Sequence, residues 1–177
     1  MELMKMAIPA YLWLKDDGGT PVKGSVDMPG REGSIEIIGL NHGVTFLTDD
    51  ATGKLTARRE HSPFTFDKKI DASTPYLYKA ATTGQKFTSA EVKYYRINDA
   101  GQEVEYFSTL MEGVHVICVG PVMYNVKSPY GEQRNHLDIV DLVYEKITWR
   151  YLDGNIMHSD RWNDRIIPQG GGHEMEI

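Results

Sequence analysis

Ile147-Thr148-Trp149-Arg150-Tyr151-Leu152-Asp153-Gly154-Asn155-Ile156-Met157-His158 reads as two strands joined by a tight turn. Asp-Gly supplies the positive φ angles that a short hairpin turn requires, and both flanking runs favour extended backbone. Asn98-Asp99-Ala100-Gly101 marks a second hairpin. Further out, strand chemistry is expected at Ile8 to Leu14, Ser34 to Leu40, Phe64 to Lys69, Ala90 to Ile97, Val104 to Leu110, Val114 to Val119, Leu137 to Tyr151 and Ile156 to Trp162. These short runs, separated by Gly, Asn, Asp and Pro clusters, predict a mainly β domain, either barrel or sandwich.

On the segment from Leu137, one face reads Leu137, Ile139, Asp141, Val143, Glu145, Ile147 and Trp149; the other reads Asp138, Val140, Leu142, Tyr144, Lys146 and Thr148. Neither is wholly polar. Such a strand sets one face in a core and the other against a second surface, such as another subunit. One helix is expected between Thr74 and Thr83, with Thr74 as N-cap, Pro75 at its first position and Gly84 just past its end. Leu77, Ala80 and Ala81 would share its docking stripe. Asn41 to Pro63 is largely polar and reads as a long extended loop with room for a protruding hairpin.

The 177 residues carry 41% hydrophobic content, enough for one sizeable core, and a net charge of -6 that repels a phosphate backbone. Arg58-Arg59 and Lys68-Lys69 are the only basic doublets of note, and beside Glu60, Asp67 and Asp71 they read as solvated surface charges. Nucleic acid is therefore excluded as an expected partner. No run reaches the roughly 20 apolar residues that span a bilayer, so membrane insertion is not expected. Lys5 followed by Met6 to Leu14 lacks a small-residue cleavage site and reads as a strand, not an export signal. The single Cys118 can make no internal disulfide, which suits folding in the cytoplasm, and alternation with Val114 and Val116 predicts a buried, inert thiol.

No organised active site is legible. His158-Ser159-Asp160 has the residue types of a hydrolytic triad, but strand neighbours point to opposite faces. His136 and Asp138 share a face without a third metal ligand at a recognisable spacing. Gly18-Gly19 lacks the Lys-Ser or Lys-Thr of a phosphate-binding loop. A hydrolase on His61, His158 and scattered acids would lack a nucleophile. A monomeric barrel binding a small molecule or sugar through Trp13, Trp149, Trp162 and the ten tyrosines is the competing class.

A longer pattern points elsewhere. Ala7-Ile8-Pro9-Ala10-Tyr11-Leu12-Trp13-Leu14-Lys15-Asp16-Asp17-Gly18-Gly19, Lys23-Gly24-Ser25-Val26 and Arg31-Glu32-Gly33-Ser34-Ile35-Glu36 resemble the start of Hcp (haemolysin-coregulated) proteins, tube subunits of type VI secretion systems. The likeness continues through His61-Ser62-Pro63-Phe64, Ser73-Thr74-Pro75-Tyr76-Leu77, Asn98-Asp99-Ala100-Gly101-Gln102-Glu103 and Tyr144-Glu145-Lys146-Ile147-Thr148-Trp149, to Asp153-Gly154-Asn155-Ile156 and His158-Ser159-Asp160. It spans 7–165, with an extension at 1–6 and a tail at 166–177 expected to be flexible and too short for a fused effector domain.

The resemblance implies a two-sheet β-barrel flanked by one α-helix, assembled as a homohexameric ring and having neither cofactor nor metal nor catalytic residue. Stacked rings would form the secreted inner tube, meeting sheath, spike and baseplate components and carrying effectors in the opening. Export would follow the type VI machinery without a signal peptide. Asn41, at the end of Gly39-Leu40-Asn41-His42, is the implied effector contact, and the long loop, through Asp49, Asp50, Arg58 and Arg59, the implied ring-stacking element.

Overall fold

The computed structural model describes residues 7–163, so the expectations for 1–6 and 166–177 lie outside the described residues. In chain order the strands are β1 (Ala10–Lys15), β2 (Pro21–Val22), β3 (Ile35–Asn41), β4 (Val44–Thr48), β5 (Leu55–His61) and β6 (Phe64–Lys69). Helix α1 (Thr74–Thr83) follows, then β7 (Lys86–Ile97), β8 (Glu103–Val122), β9 (Leu137–Val143), β10 (Lys146–Tyr151) and β11 (Ile156–Arg161). Strands β8, β7, β1, β3, β6 and β9 pair in that order, and β9 pairs back to β8, closing an antiparallel barrel. β10 and β11 extend the same sheet from β8, β2 adds to β1, and β4–β5 form a separate two-stranded sheet.

The core follows the two-residue period of the strands. Leu12 and Leu14, Ile35 and Ile37, Phe64 and Phe66, Val140 and Leu142 all turn inward and are buried. Each such side chain contributes about 1.5–3 kcal/mol by leaving water. Closure pairs the backbone that an open sheet would leave as edges.

Two expected strands, Val104 to Leu110 and Val114 to Val119, are one strand, β8, while Leu137 to Tyr151 is two. The causes meet at one corner. β8 pairs with β10 from Phe107 to Glu112 and with β9 from His115 to Val122. Between them Gly113 takes φ +63, and the Glu145 N–H reaches the carbonyls of Glu112 and Gly113 at 3.0 and 3.1 Å. Glycine accepts that conformation without strain. A second irregularity, between Val116 and Cys118 opposite Leu142 and Asp141, breaks alternation. It turns Cys118 outward, so the thiol is exposed rather than buried as expected.

The helix runs over the expected residues, and Gly84 closes it in the left-handed conformation at φ 71. Its N-cap is Ser73, not Thr74. The Thr74 hydroxyl is occupied elsewhere: it donates to Asp138 Oδ2 at 2.7 Å and accepts from Lys68 Nζ at 3.0 Å and from the Asp71 N–H. The buried stripe is Thr74, Leu77 and Ala80, while Ala81 is exposed.

Lys68 corrects the surface reading of its doublet. It continues the inward set Phe64, Phe66, is 0% exposed, and pairs with the equally buried Asp138 at 2.8 Å and with Asp71 at 3.2 Å. β6, β9 and the start of α1 are thereby tied at one point. Asp138→Ala would leave a buried ammonium without its main partner, and we expect a loss of about 3–5 kcal/mol. Urea unfolding checks it; Lys69→Ala, exposed on the same strand, is the control expected within about 0.5 kcal/mol.

Candidate functional site

The long loop is mostly a hairpin. β4 and β5 pair from Val44↔His61 to Thr48↔Leu55, with a bulge between Phe46 and Thr48. Asp49 builds the turn: its Oδ1 accepts the N–H groups of Ala51 at 2.8 Å and Thr52 at 3.1 Å, its carbonyl accepts that of Gly53, and Gly53 takes φ +67. Asp50 and Arg58 are exposed, as are the apolar Val44, Phe46 and Leu55.

Such a sheet has little apolar area with which to hold itself to the barrel, and polar groups attach it. At the base, Gly43 and Ser62 clamp the two legs: Gly43 N–H donates to Ser62 Oγ, and Ser62 N–H and Oγ both donate to the Gly43 carbonyl. Arg59 turns away from Arg58 and toward β11, where Nε lies 2.5 Å from Asp160 Oδ2 and Nη2 lies 2.7 Å from Oδ1. Its side chain is only 11% exposed, so the surface reading of Arg59 gives way to a half-buried ion pair. His61 Nε2 lies 2.8 Å from the same Asp160 Oδ2, and His61 Nδ1 lies 2.7 Å from Tyr144 Oη. His42 Nε2 is also 2.7 Å from Tyr144 Oη. Trp162 stacks on His61 and meets Tyr144 edge-on, closing the cluster.

The electrostatics follow from this packing. Burial, with nearby Asp160 adding to it, pushes the Tyr144 hydroxyl well above the ordinary phenol range. Burial alone would raise Asp160, but hydrogen bonds from Arg59 and His61 outweigh it and hold the carboxyl below its usual range. Burial holds the His42 imidazole down, with proximity to His61 adding to the effect. Carboxylate, imidazole and hydroxyl stand in the order of a nucleophilic relay, yet a phenol held protonated and 4% exposed is the opposite of an activated nucleophile. The arrangement fixes position. His158 and Ser159 take no part: His158 stacks on Trp149, and Ser159 Oγ meets Thr148 Oγ1 at 2.7 Å.

Asn41, at the exposed end of β3, pairs in register with Thr65. Beside it Ile38 and Leu40 are 42% and 39% exposed. At the far edge of the sheet, Ile156 and Met157 of β11 are 67% and 58% exposed. Among the described residues no three His, Cys, Asp or Glu side chains group so as to hold a metal ion, and no helix is long and apolar enough to cross a membrane.

The family model described as type VI secretion system effector, Hcp, matches residues 11–151. The chain belongs to the Hcp family. A relative from Pseudomonas aeruginosa, the "Major exported protein", is 30% identical over 143 residues, 81% of this chain and 83% of its own. The solved structure of a substituted Hcp1 protein from E. coli EAEC 042 is 60% identical with a TM-score of 0.80, over 88% of this chain and 99% of that one. The secreted Hcp3 protein of Pseudomonas aeruginosa shares the fold, at 24% identity and a TM-score of 0.72, over 89% and 100%. The Hcp match covers the barrel from Tyr11 onward, the hairpin and Tyr144, while Asp160 and Trp162 lie beyond the matched span.

The anchoring cluster was hidden from sequence reasoning because its members lie far apart in the chain: Arg59 and Asp160 are separated by 101 residues, His42 and Tyr144 by 102. Its only local trace is a histidine at each leg of the hairpin. Arg59→Ala removes a two-pronged, charge-assisted contact and is expected to cost about 2 kcal/mol and to speed amide exchange in β4–β5. Arg58→Ala, exposed one residue earlier, is expected within about 0.5 kcal/mol of the parent. Denaturant titration with hydrogen exchange distinguishes them.

Proposed function

We propose that this Hcp chain is the inner-tube subunit of a type VI secretion system, closing as a homohexameric ring whose copies stack and carry effectors in the opening. Family membership carries this reading. The fold supports it in a particular way. A barrel that satisfies its own core still leaves Ile38, Leu40, Ile156 and Met157 exposed at widely separated places on one sheet. A ring needs this: two different patches, each meeting the other on the next copy, with a rotation that closes. The hairpin, independent of the barrel sheet, is the element suited to reach a neighbouring ring, with Asp49, Asp50 and Arg58 as its charges and Arg59 as its anchor.

The partners on this reading are further copies of the chain, effectors, and the sheath and spike or baseplate components. The subunit is assembled in the cytoplasm and exported by the machine itself. A small-molecule barrel has no comparable support. The interior is filled by side chains, Trp13 lies under Lys93, Trp149 against His158, and Trp162 against His61 and Tyr144.

Six copies of a 20.0 kDa chain give about 120 kDa for a closed ring. Light scattering is expected to find that mass, and a monomer at every concentration overturns the ring. Replacing Thr45 to Thr56 by a short Gly-Ser linker keeps Arg59 and His61, so fold and ring are expected to persist while stacking, seen by electron microscopy, is weakened. For cargo, Asn41→Arg puts bulk and charge at the exposed end of β3 and is expected to weaken effector binding by about 2 kcal/mol, roughly thirtyfold. Co-purification of effectors with parent and variant rings measures it, and equal recovery removes Asn41 from the cargo surface.

A further inference from the structure

Asn41 stands on a sheet face that runs across four strands. Asn41 of β3 lies opposite Thr65 of β6, Thr65 opposite Asp141 of β9, and Asp141 opposite Cys118 of β8. One row on, Gly39 lies opposite Asp67, and Gly120 follows Cys118 on the same side of β8. The reverse of these strands carries Phe64, Phe66, Val140 and Leu142, all buried in the core. Both rows therefore lie outside the barrel, and each of their residues named here is half-buried or exposed. Other outward positions are covered: Tyr11 on β1 is 2% exposed beneath Arg31, and Leu137, opposite Lys69 at the margin of the face, is 5% exposed.

Two features of the face have no use inside the subunit. The first is its flatness. Gly120 interrupts β8 although its φ is not positive, and a Cβ there would meet nothing within 4 Å. A strand glycine loosens the chain and packs nothing, so neither a turn nor an internal contact explains it; the close approach of a partner does. At Gly39 a Cβ would come within 3.1 Å of Asp67 Oδ2, so that glycine lets the Asp67 carboxylate lie over β3. The second feature is charge. Asp141 Oδ1 accepts from Thr65 Oγ1 at 2.6 Å, and among the described residues neither Asp67 nor Asp141 belongs to an ion pair.

We propose that this face, from Asn41 to Cys118 and from Gly39 to Gly120, is a docking surface for a basic segment of a protein partner, which lies against the two glycines and pairs with Asp67 and Asp141. The inference rests on the tube reading, in which Asn41 meets the cargo, and it adds what the cargo must present. On a lone subunit two solvated carboxylates attract weakly. A closed ring repeats them around one opening with low-dielectric walls, where their fields add and gather counter-charge. An acidic or apolar cargo surface would strip water from both carboxylates and return no partner. Lysine and arginine side chains return one.

Cys118 is the reporter, because its thiol is exposed and in register with Asp141. The full-length protein is labelled at low salt with two methanethiosulfonates of similar size, one bearing trimethylammonium and the other sulfonate. The ratio of the two rates, divided by the same ratio for 2-mercaptoethanol, cancels the ionisation of the thiol itself. The cation is expected to be favoured about tenfold or more, falling toward equality in Asp67→Asn/Asp141→Asn. Asparagine keeps an oxygen that accepts from Thr65, and should the double variant fail to fold, a partial fall in Asp67→Asn decides. An octalysine peptide is expected to slow labelling of Cys118 about threefold or more, and octaglutamate to leave it unchanged. Gly120→Val is expected to remove that protection and keep the reagent preference. Met157→Cys in a Cys118→Ser chain, at a position 58% exposed on β11, is the control expected to show neither effect. Equal normalised rates in the parent overturn the surface, and so do absent octalysine protection or protection that survives the asparagine variants. Light scattering of the same samples separates the two readings. A closed ring without preference or protection loses this surface and keeps the tube, whereas a monomer showing both keeps the surface and loses the ring.

Discussion

Strand β8 pairs with β7 over most of its length, with β10 along its first half and with β9 along its second. That double use of one edge is the constraint on which the rest depends. It closes the barrel, because β9 is already tied to β6. It also forces a corner where the partner changes, at Gly113 on β8 and at Tyr144-Glu145 between β9 and β10. The corner places Tyr144 where neither strand continues, so its ring can lean into the core margin while its hydroxyl meets the hairpin. The geometry that closes the barrel therefore also provides the post to which the hairpin is fastened.

Where a structural feature had a local cause, the sequence disclosed it. Pro75 and Gly84 bound the helix because one fixes a helical φ and the other accepts a left-handed one. The turn at Leu152 to Asn155 forms as its residues suggest, although the positive φ values fall on Gly154 and Asn155 rather than on Asp153 and Gly154. The pattern of strands, and the Hcp resemblance spread along them, gave the barrel. What stayed hidden was non-local. Met111-Glu112-Gly113 looks like an ending until β10 and β9 are known to continue along the same partner. Alternation put Cys118 inside, and only a bulge paid out against β9 turns it away. Lys68 looked like half of a surface doublet, although its period with Phe64 and Phe66 pointed inward; what allows it there is Asp138, 70 residues on.

Both buried polar clusters, around Lys68 and around Tyr144, sit where elements of different direction meet. Apolar packing is non-directional and would let the helix or the hairpin slide on the barrel at modest cost. A hydrogen bond weakens steeply when misaligned, and a buried one has no water to replace its partner. At Lys68 the groups fix the start of α1 against β6 and β9. At Tyr144 they fix the hairpin against the β9–β10 corner and β11.

A subunit that adds to its neighbours through a projecting element needs that element held at one angle, since an error at its base is magnified at its tip. More apolar area at the hairpin base would supply strength without direction. A chain of hydrogen bonds supplies direction, but only while every member keeps its role as donor or acceptor. Two imidazoles on one buried phenol, with Arg59 and His61 sharing the Asp160 carboxylate, hold the hairpin at both of its legs, so the angle at its base is set by bond direction as well as by packing.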